Sequence, residues 1–127
     1  MKYLYLAYYN TQQFSDMTPE AVQALVSQCP AHDAALRASG RLVTQASLGN
    51  PVQTRTIQSK NGKPSFTDGP YTETKEQIGG FFIIDAKDME DALNIASLHP
   101  AALIGEQAGW CIEVRPIEFF EQQSLQQ

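Results

Sequence analysis

The apolar pattern begins with a predicted strand over residues 2–9 that is hydrophobic on both sides. Successive side chains of a strand point to opposite faces. One face therefore carries Leu4 and Leu6. The other face carries Tyr3, Tyr5, Ala7 and Tyr9. Both faces are suited to burial.

The next segment favours a helix that begins at an N-cap. Thr18 followed by Pro19 is typical of an N-cap and a first helical position. Apolar residues then recur at helical spacing, at Val22, Leu25, Val26 and Cys29. Pro30 should kink or break this helix, so a second piece is expected over residues 31–39, ended by Gly40.

A second helix is predicted to begin near Asp88 and to stop before Pro100. Asp85 is an alternative cap. The apolar residues of this helix recur with the period of one buried face, at Met89, Ala92, Leu93 and Ala96.

The remaining patterns predict strands. Residues 42–48 and 52–59 favour extended structure, and Asn61-Gly62 is a strong hairpin signal leading into a short strand at 63–67. The apolar run 78–84 favours a central strand whose Gly79-Gly80 pair indicates a bulge or a close backbone approach. The last strand covers residues 110–117.

This β-α-β-β-α-β order predicts an α+β fold, a ferredoxin-like sandwich with an extra β-hairpin. Right-handed crossovers place both helices on one face of an antiparallel sheet. The other face is then uncovered, and we expect it to carry Tyr3 and Tyr5 with one apolar set of the central strand. A second copy of the chain is expected to cover it. The alternative is a monomer whose hairpin folds over its own sheet.

Composition limits the function classes. The 127 residues predict one domain over 1–120 with a tail at 121–127. The net charge of −5, with scattered basic residues, argues against nucleic acid. No apolar run approaches the roughly 20 residues of a membrane span. The N-terminus lacks a cleavage site, so we expect a cytoplasmic protein with free thiols at Cys29 and Cys111.

The run Asp68 to Phe81, with the sequence DGPYTETKEQIGGF, resembles the signature of the DGPF proteins, a branch of the YCII-related family. Tyr71 replaces the usual Phe. The resemblance extends through residues 2–9, 85–92, 99–101 and 113–116. It implies a ferredoxin-like dimer whose sheets meet as an α+β barrel, with a polar cleft near the signature loop. It implies no established reaction.

Asp68 and His99 are the candidate catalytic residues. A carboxylate can act as a general base or orient an imidazole, and a histidine can exchange protons near neutral pH. Each residue also has a structural alternative. Asp68 before Gly69 is typical of a residue that bonds its own turn, and His99 could cap the C-terminus of the preceding helix.

The predicted ligand-binding residues lie in the signature loop and on two strands. In the loop, Tyr71, Glu73 and Lys75 either line a cleft or form a solvated surface. On the last strand, Glu113 and Arg115 share a face and should point toward the tyrosine face of the first strand, near Tyr5 and Tyr9. A small planar or anionic ligand suits such a cleft. An intersubunit salt bridge is the alternative.

No motif predicts a cofactor or a metal. The chain has no phosphate-cradling glycine loop and no Cys/His cluster beyond Cys29 and His32. Three functions stay open: a cofactor-free enzyme that transfers protons on a small carbonyl or phenolic compound, a non-catalytic ligand sensor or accessory protein, and a structural dimer.

Overall fold

The computed structural model describes residues 1–72 and 74–125. Its strands are β1 (Lys2–Asn10), β2 (Leu42–Ser47), β3 (Arg55–Lys60), β4 (Lys63–Asp68), β5 (Glu76–Asp85) and β6 (Cys111–Pro116). Its helices are α1 (Thr11–Asp16), α2 (Pro19–Val26), α3 (Cys29–Ala38), α4 (Met89–Ala96) and α5 (Pro100–Leu103). Short 3-10 turns lie at Pro51–Gln53 and Glu106–Ala108.

Four strands form an antiparallel sheet in the order β2-β5-β1-β6, and β3 pairs with β4 in a separate hairpin. This topology confirms the predicted α+β, ferredoxin-like fold with an added hairpin. The sheet of the single chain does not close into a barrel, because β2 and β6 form its two edges. The dimeric α+β barrel therefore stays a prediction.

The core lies between this sheet and the helices. Tyr3, Tyr5, Phe82 and Ile84 pack with Leu36 of α3 and with Ala92, Ile95 and Ala96 of α4. Tyr5 has no exposed surface, and its hydroxyl donates a hydrogen bond to the Ala92 carbonyl. Burial raises the pKa of Tyr5, so this phenol stays protonated as a structural donor.

The helices cover the face of the sheet opposite to the one predicted. Tyr3 and Tyr5 are in the core, so the prediction that they lie on the uncovered face is wrong. The open face carries two cross-strand pairs of β1 and β5, Leu4 with Ile83 and Leu6 with Phe81. All four side chains are half-buried. The face is apolar as expected, but it carries the leucine set of β1.

Local signals determine most element boundaries. Thr18 and Asp88 cap α2 and α4 as predicted, each accepting a hydrogen bond from a backbone N–H in the first turn. Asn61 and Gly62 both have positive φ in the turn between β3 and β4. None of the helices in the described ranges has the length and apolar content of a membrane-spanning segment.

Helix α3, strand β3 and helix α4 also differ from the prediction. Helix α3 begins at Cys29 rather than residue 31, because Pro30 fits the first turn, where a missing N–H costs nothing. Strand β3 begins at Arg55, because residues 51–53 form a 3-10 turn capped by Asn50. In α4, Met89 and Leu93 are exposed, since the helix packs through Ala92, Ile95 and Ala96.

Candidate functional site

Helix α3 brings three chemically active side chains to one cavity. Cys29, Asp33 and Arg37 recur every four residues, so they share one side of the helix. All three line a cavity of about 750 Å³. The neighbouring Leu36 is completely buried in the core, so the helix is anchored beside these polar groups.

A histidine approaches the same cavity from the turn between α4 and α5. His99 is the N-cap of α5, and its Nδ1 atom accepts a hydrogen bond of 3.0 Å from the Ala101 N–H. An Nδ1 atom that accepts carries no proton, so the proton of the neutral ring resides on Nε2. The predicted alternative, a cap on the C-terminus of the preceding helix, is wrong, because α4 ends at Ala96 with Ser97 as its cap.

The aromatic ring of Phe82 holds the imidazole in place. The rings of His99 and Phe82 are stacked, with centroids 4.4 Å apart and planes 6° apart. Further aromatic residues that line the cavity are Tyr9, Phe14 and Trp110. We call the whole space the His99 cavity.

The glycine pair of β5 forms part of the cavity wall. The β1–β5 register shifts by one residue, because Ala7 pairs with Gly80 whereas Tyr8 pairs with Ile78. Gly79 is therefore the bulged residue, as the sequence indicated. A Cβ on Gly79 would lie 3.1 Å from the Tyr9 ring, so the bulge lets this aromatic wall approach the strand.

Burial determines the protonation of the two titratable groups most enclosed by the cavity. Burial lowers the pKa of His99; the nearby Asp33 carboxylate opposes that effect, and His32 adds to it. Burial, with a contribution from Asp33, raises the pKa of the Cys29 thiol. At neutral pH His99 is therefore a neutral ring and Cys29 a protonated thiol.

These protonation states limit the chemistry of the site. A protonated thiol is a poor nucleophile, so covalent catalysis by Cys29 is disfavoured. The Nε2–H of a neutral His99 can donate a hydrogen bond to a ligand oxygen, and the Asp33 carboxylate can accept a proton. Within residues 1–72 and 74–125, no three His, Cys, Asp or Glu side chains are grouped as a metal site requires.

The structure places two of the predicted site residues at this cavity, His99 and Tyr9. Tyr5 lies instead in the core. Asp68 is not among the lining residues, and its exposed carboxylate pairs with Arg55 at 3.2 Å. Tyr71 and Lys75 are exposed in the loop between β4 and β5 and do not line the cavity. Glu73 lies outside the described residues.

Glu113 and Arg115 are on the open face of the sheet. They pair with Leu6 and Leu4 across β1 and β6, and opposed residues of an antiparallel pair share a face. The prediction that they point toward the tyrosine face of the first strand is therefore wrong. The Glu113 carboxylate, beside the hydroxyl of Tyr8, raises the pKa of that phenol.

Sequence reasoning missed Asp33, Arg37 and Trp110. A signal for Asp33 was available, since Cys29, Asp33 and Leu36 follow the helical spacing of a core-facing stripe. A carboxylate on such a stripe is unusual and indicates a polar site. Trp110 packs on Gly105, whose added Cβ would lie 2.4 Å from the indole. That contact depends on the loop conformation and has no signature in the local sequence.

Comparison with known proteins gives a family. The model of the YCII-related domain matches residues 1–120. The chain belongs to the YCII-related family. An uncharacterized protein of Rhizobium meliloti (strain 1021) is 29% identical over 96 residues, which cover 76% of this chain and 77% of the relative. Assignment of this YCII-related chain to the DGPF branch stays a prediction.

A solved structure also aligns with this chain. It is 5-chloro-2-hydroxyhydroquinone dehydrochlorinase from Burkholderia phenoliruptrix AC1100, in complex with 2,5-dihydroxybenzoquinone. Its TM-score is 0.44 and its identity is 17%, with 93% of this chain and 94% of the other covered. That similarity is too low to transfer an activity or a ligand.

Proposed function

We propose that the His99 cavity binds a small molecule with a planar, oxygen-bearing group and catalyses proton transfer on it without a cofactor. The convergence of a neutral histidine donor, a carboxylate and aromatic walls in one cavity carries this proposal. The volume of about 750 Å³ is within the range of small-molecule sites, about 300–1,000 Å³.

The proposed chemistry divides two roles between Asp33 and His99. The Asp33 carboxylate takes a proton from a carbon next to a carbonyl, or from a phenolic hydroxyl. The His99 Nε2–H donates a hydrogen bond to the oxygen on which negative charge develops. The proton then returns from Asp33 to the product. Asp68 takes no part in this scheme, because its carboxylate pairs with Arg55 on the hairpin.

The active unit in this proposal is a homodimer. The open apolar face of the sheet supports a second copy as its cover, since exposed apolar patches of this kind are typical of association sites.

A screen of small aromatic and carbonyl compounds by differential scanning fluorimetry tests the binding site. Ligands are expected to stabilise the wild-type protein but not Ser47→Phe, because Ser47 lines the cavity at the edge strand β2. Ser59→Phe on β3 is the matched control, since it adds the same ring at another exposed strand position. Two results would refute the site. Either ligands stabilise Ser47→Phe as well as the wild-type protein, or no compound in the screen stabilises the wild-type protein.

Deuterium exchange separates catalysis from sensing. With a bound carbonyl compound in D₂O, NMR should show exchange at the adjacent carbon, slowed roughly 100- to 10,000-fold by Asp33→Asn or His99→Asn. Asp68→Asn should leave the rate unchanged. Binding without exchange above the buffer rate contradicts the catalytic proposal and favours a ligand sensor.

A further inference from the structure

We infer that the ligand of the His99 cavity is a planar monoanion, a conjugated or aromatic carboxylate, recognised through Arg37. This inference rests on the proposed function and specifies the ligand class of the same site. The guanidinium and the aromatic walls are the features that carry it.

Arg37 is solvent-exposed where it lines the cavity. Asp33 and Arg37 are one helical turn apart, a spacing that commonly produces an ion pair. No such pair forms here, and no carboxylate within residues 1–72 and 74–125 lies at ion-pair distance from Arg37. A planar guanidinium binds a carboxylate through two parallel hydrogen bonds. Arg37 can therefore receive the anionic end of a ligand.

The balance of charges limits the ligand to a single negative charge. Asp33 lines the same cavity as Arg37, and His99 is neutral because burial lowers its pKa. A dianion such as a phosphate monoester would face the Asp33 carboxylate with only one cation to balance it. A monoanion satisfies Arg37 and leaves Asp33 free to act as the base.

The shape of the walls favours a flat ligand. The stack on Phe82 fixes the plane of the His99 ring, and Tyr9 and Phe14 add an edge-to-face pair with centroids 5.9 Å apart. Conjugated molecules gain offset and edge contacts with such rings. The Nε2–H of His99 then donates to a second oxygen of the ligand.

Isothermal titration calorimetry at pH 7.5 with two matched probes tests this inference. The probes are trans-cinnamate and its uncharged isostere trans-cinnamamide. Wild type is expected to bind cinnamate about tenfold more tightly or better, the range of a hydrogen bond to a charged group. Arg37→Gln should reduce this preference to about twofold or less and leave the affinity for cinnamamide unchanged.

Two further variants separate a specific contact from net charge. Lys60→Gln removes one positive charge at the exposed hairpin tip and should keep the full preference for cinnamate. Arg37→Lys should keep part of it, because an ammonium supplies charge without the paired geometry. Thermal unfolding of each variant verifies that the fold is intact.

The outcomes distinguish this inference from the proposed function. Equal affinities of wild type for both probes, or a preference that persists in Arg37→Gln, would overturn the anion inference and leave a small-molecule site in place. Failure of both probes to bind also overturns the inference. The proposed function fails on a different result. That result is a fluorimetry screen in which no compound stabilises the wild-type protein and loses this effect in Ser47→Phe.

Discussion

His99 is the residue whose role changed most between sequence and structure. The sequence predicted a catalytic residue that exchanges protons, or a cap at the C-terminus of the preceding helix. In the structure it caps the following helix with Nδ1 and stacks on Phe82. The cap assigns the remaining proton to Nε2. One hydrogen bond therefore leaves the proton of the neutral His99 ring on Nε2, where it can act as a hydrogen-bond donor.

The protonation of His99 predicts a component of stability that depends on pH. Because burial lowers its pKa in the folded protein, the unfolded chain binds a proton first as the pH falls. Stability is then complete above the unfolded pKa of about 6.5 and declines as the pH drops below it toward the folded pKa. Urea unfolding between pH 7.5 and pH 5 should show this decline, less than about 1.4 kcal/mol per pH unit.

The control for this prediction is His99→Asn. An asparagine side chain can also cap a helix N-terminus, so the variant removes the titrating ring while keeping the cap on α5. Its pH dependence over the same range should be weaker than that of wild type. His32→Asn retains His99 and should keep the decline. Identical profiles for wild type and His99→Asn would contradict the prediction.

At the scale of elements, the glycine pair of β5 sets how closely the strands approach. A Cβ on Gly80 would lie 2.8 Å from the backbone oxygen of Ala46 on β2. That obstacle is main chain, so relief requires displacement of an edge strand. The β5–β2 contact is thus possible because residue 80 has no side chain.

Gly80→Ala should destabilise the protein by about 1–3 kcal/mol, the usual cost of forced overpacking. Urea unfolding of the purified variants measures this change in the free energy of unfolding. Gly49→Ala is the matched control, because its new Cβ meets the end of the flexible Gln53 side chain. We expect that control to be close to wild type. If Gly80→Ala lowers the free energy of unfolding no more than Gly49→Ala does, β2 can move away from the new methyl group without strain.

At the scale of the whole molecule, the open face of the sheet predicts association. Burying a leucine or phenylalanine side chain contributes roughly 1.5–3 kcal/mol. Leu4, Leu6, Phe81 and Ile83 are half-buried within one chain, so each gains only part of that energy. A second copy placed face to face would supply the rest of the burial energy.

Leu6→Lys should convert the protein to a monomer of 14.1 kDa in light scattering at micromolar concentration. A lysine at the centre of the open face would bring a charge into the interface. Leu93→Lys places the same charge on the exposed side of α4 and should leave the dimer intact. Wild type that is monomeric at this concentration, or a Leu6→Lys variant that still dimerises, contradicts the prediction.

The amino-acid sequence by itself determined the order and type of the main elements. The caps at Thr18 and Asp88, the Asn61-Gly62 turn and the Gly79-Gly80 bulge depend on neighbours within a few residues. Such features are encoded by local hydrogen bonding and backbone conformation, so they can be predicted without the rest of the chain. The order of these elements predicted the ferredoxin-like fold.

Only the tertiary structure decided which face of β1 is covered and which residues form the site. Leu4 and Leu6 on one face and Tyr3 and Tyr5 on the other are all suited to burial, so pattern alone could not choose between the two faces. The choice depends on Tyr5 reaching the Ala92 carbonyl, 87 residues away along the chain. The His99 cavity likewise joins α3, β5 and the turn before α5. Such long-range contacts depend on packing geometry, which local periodicity does not contain.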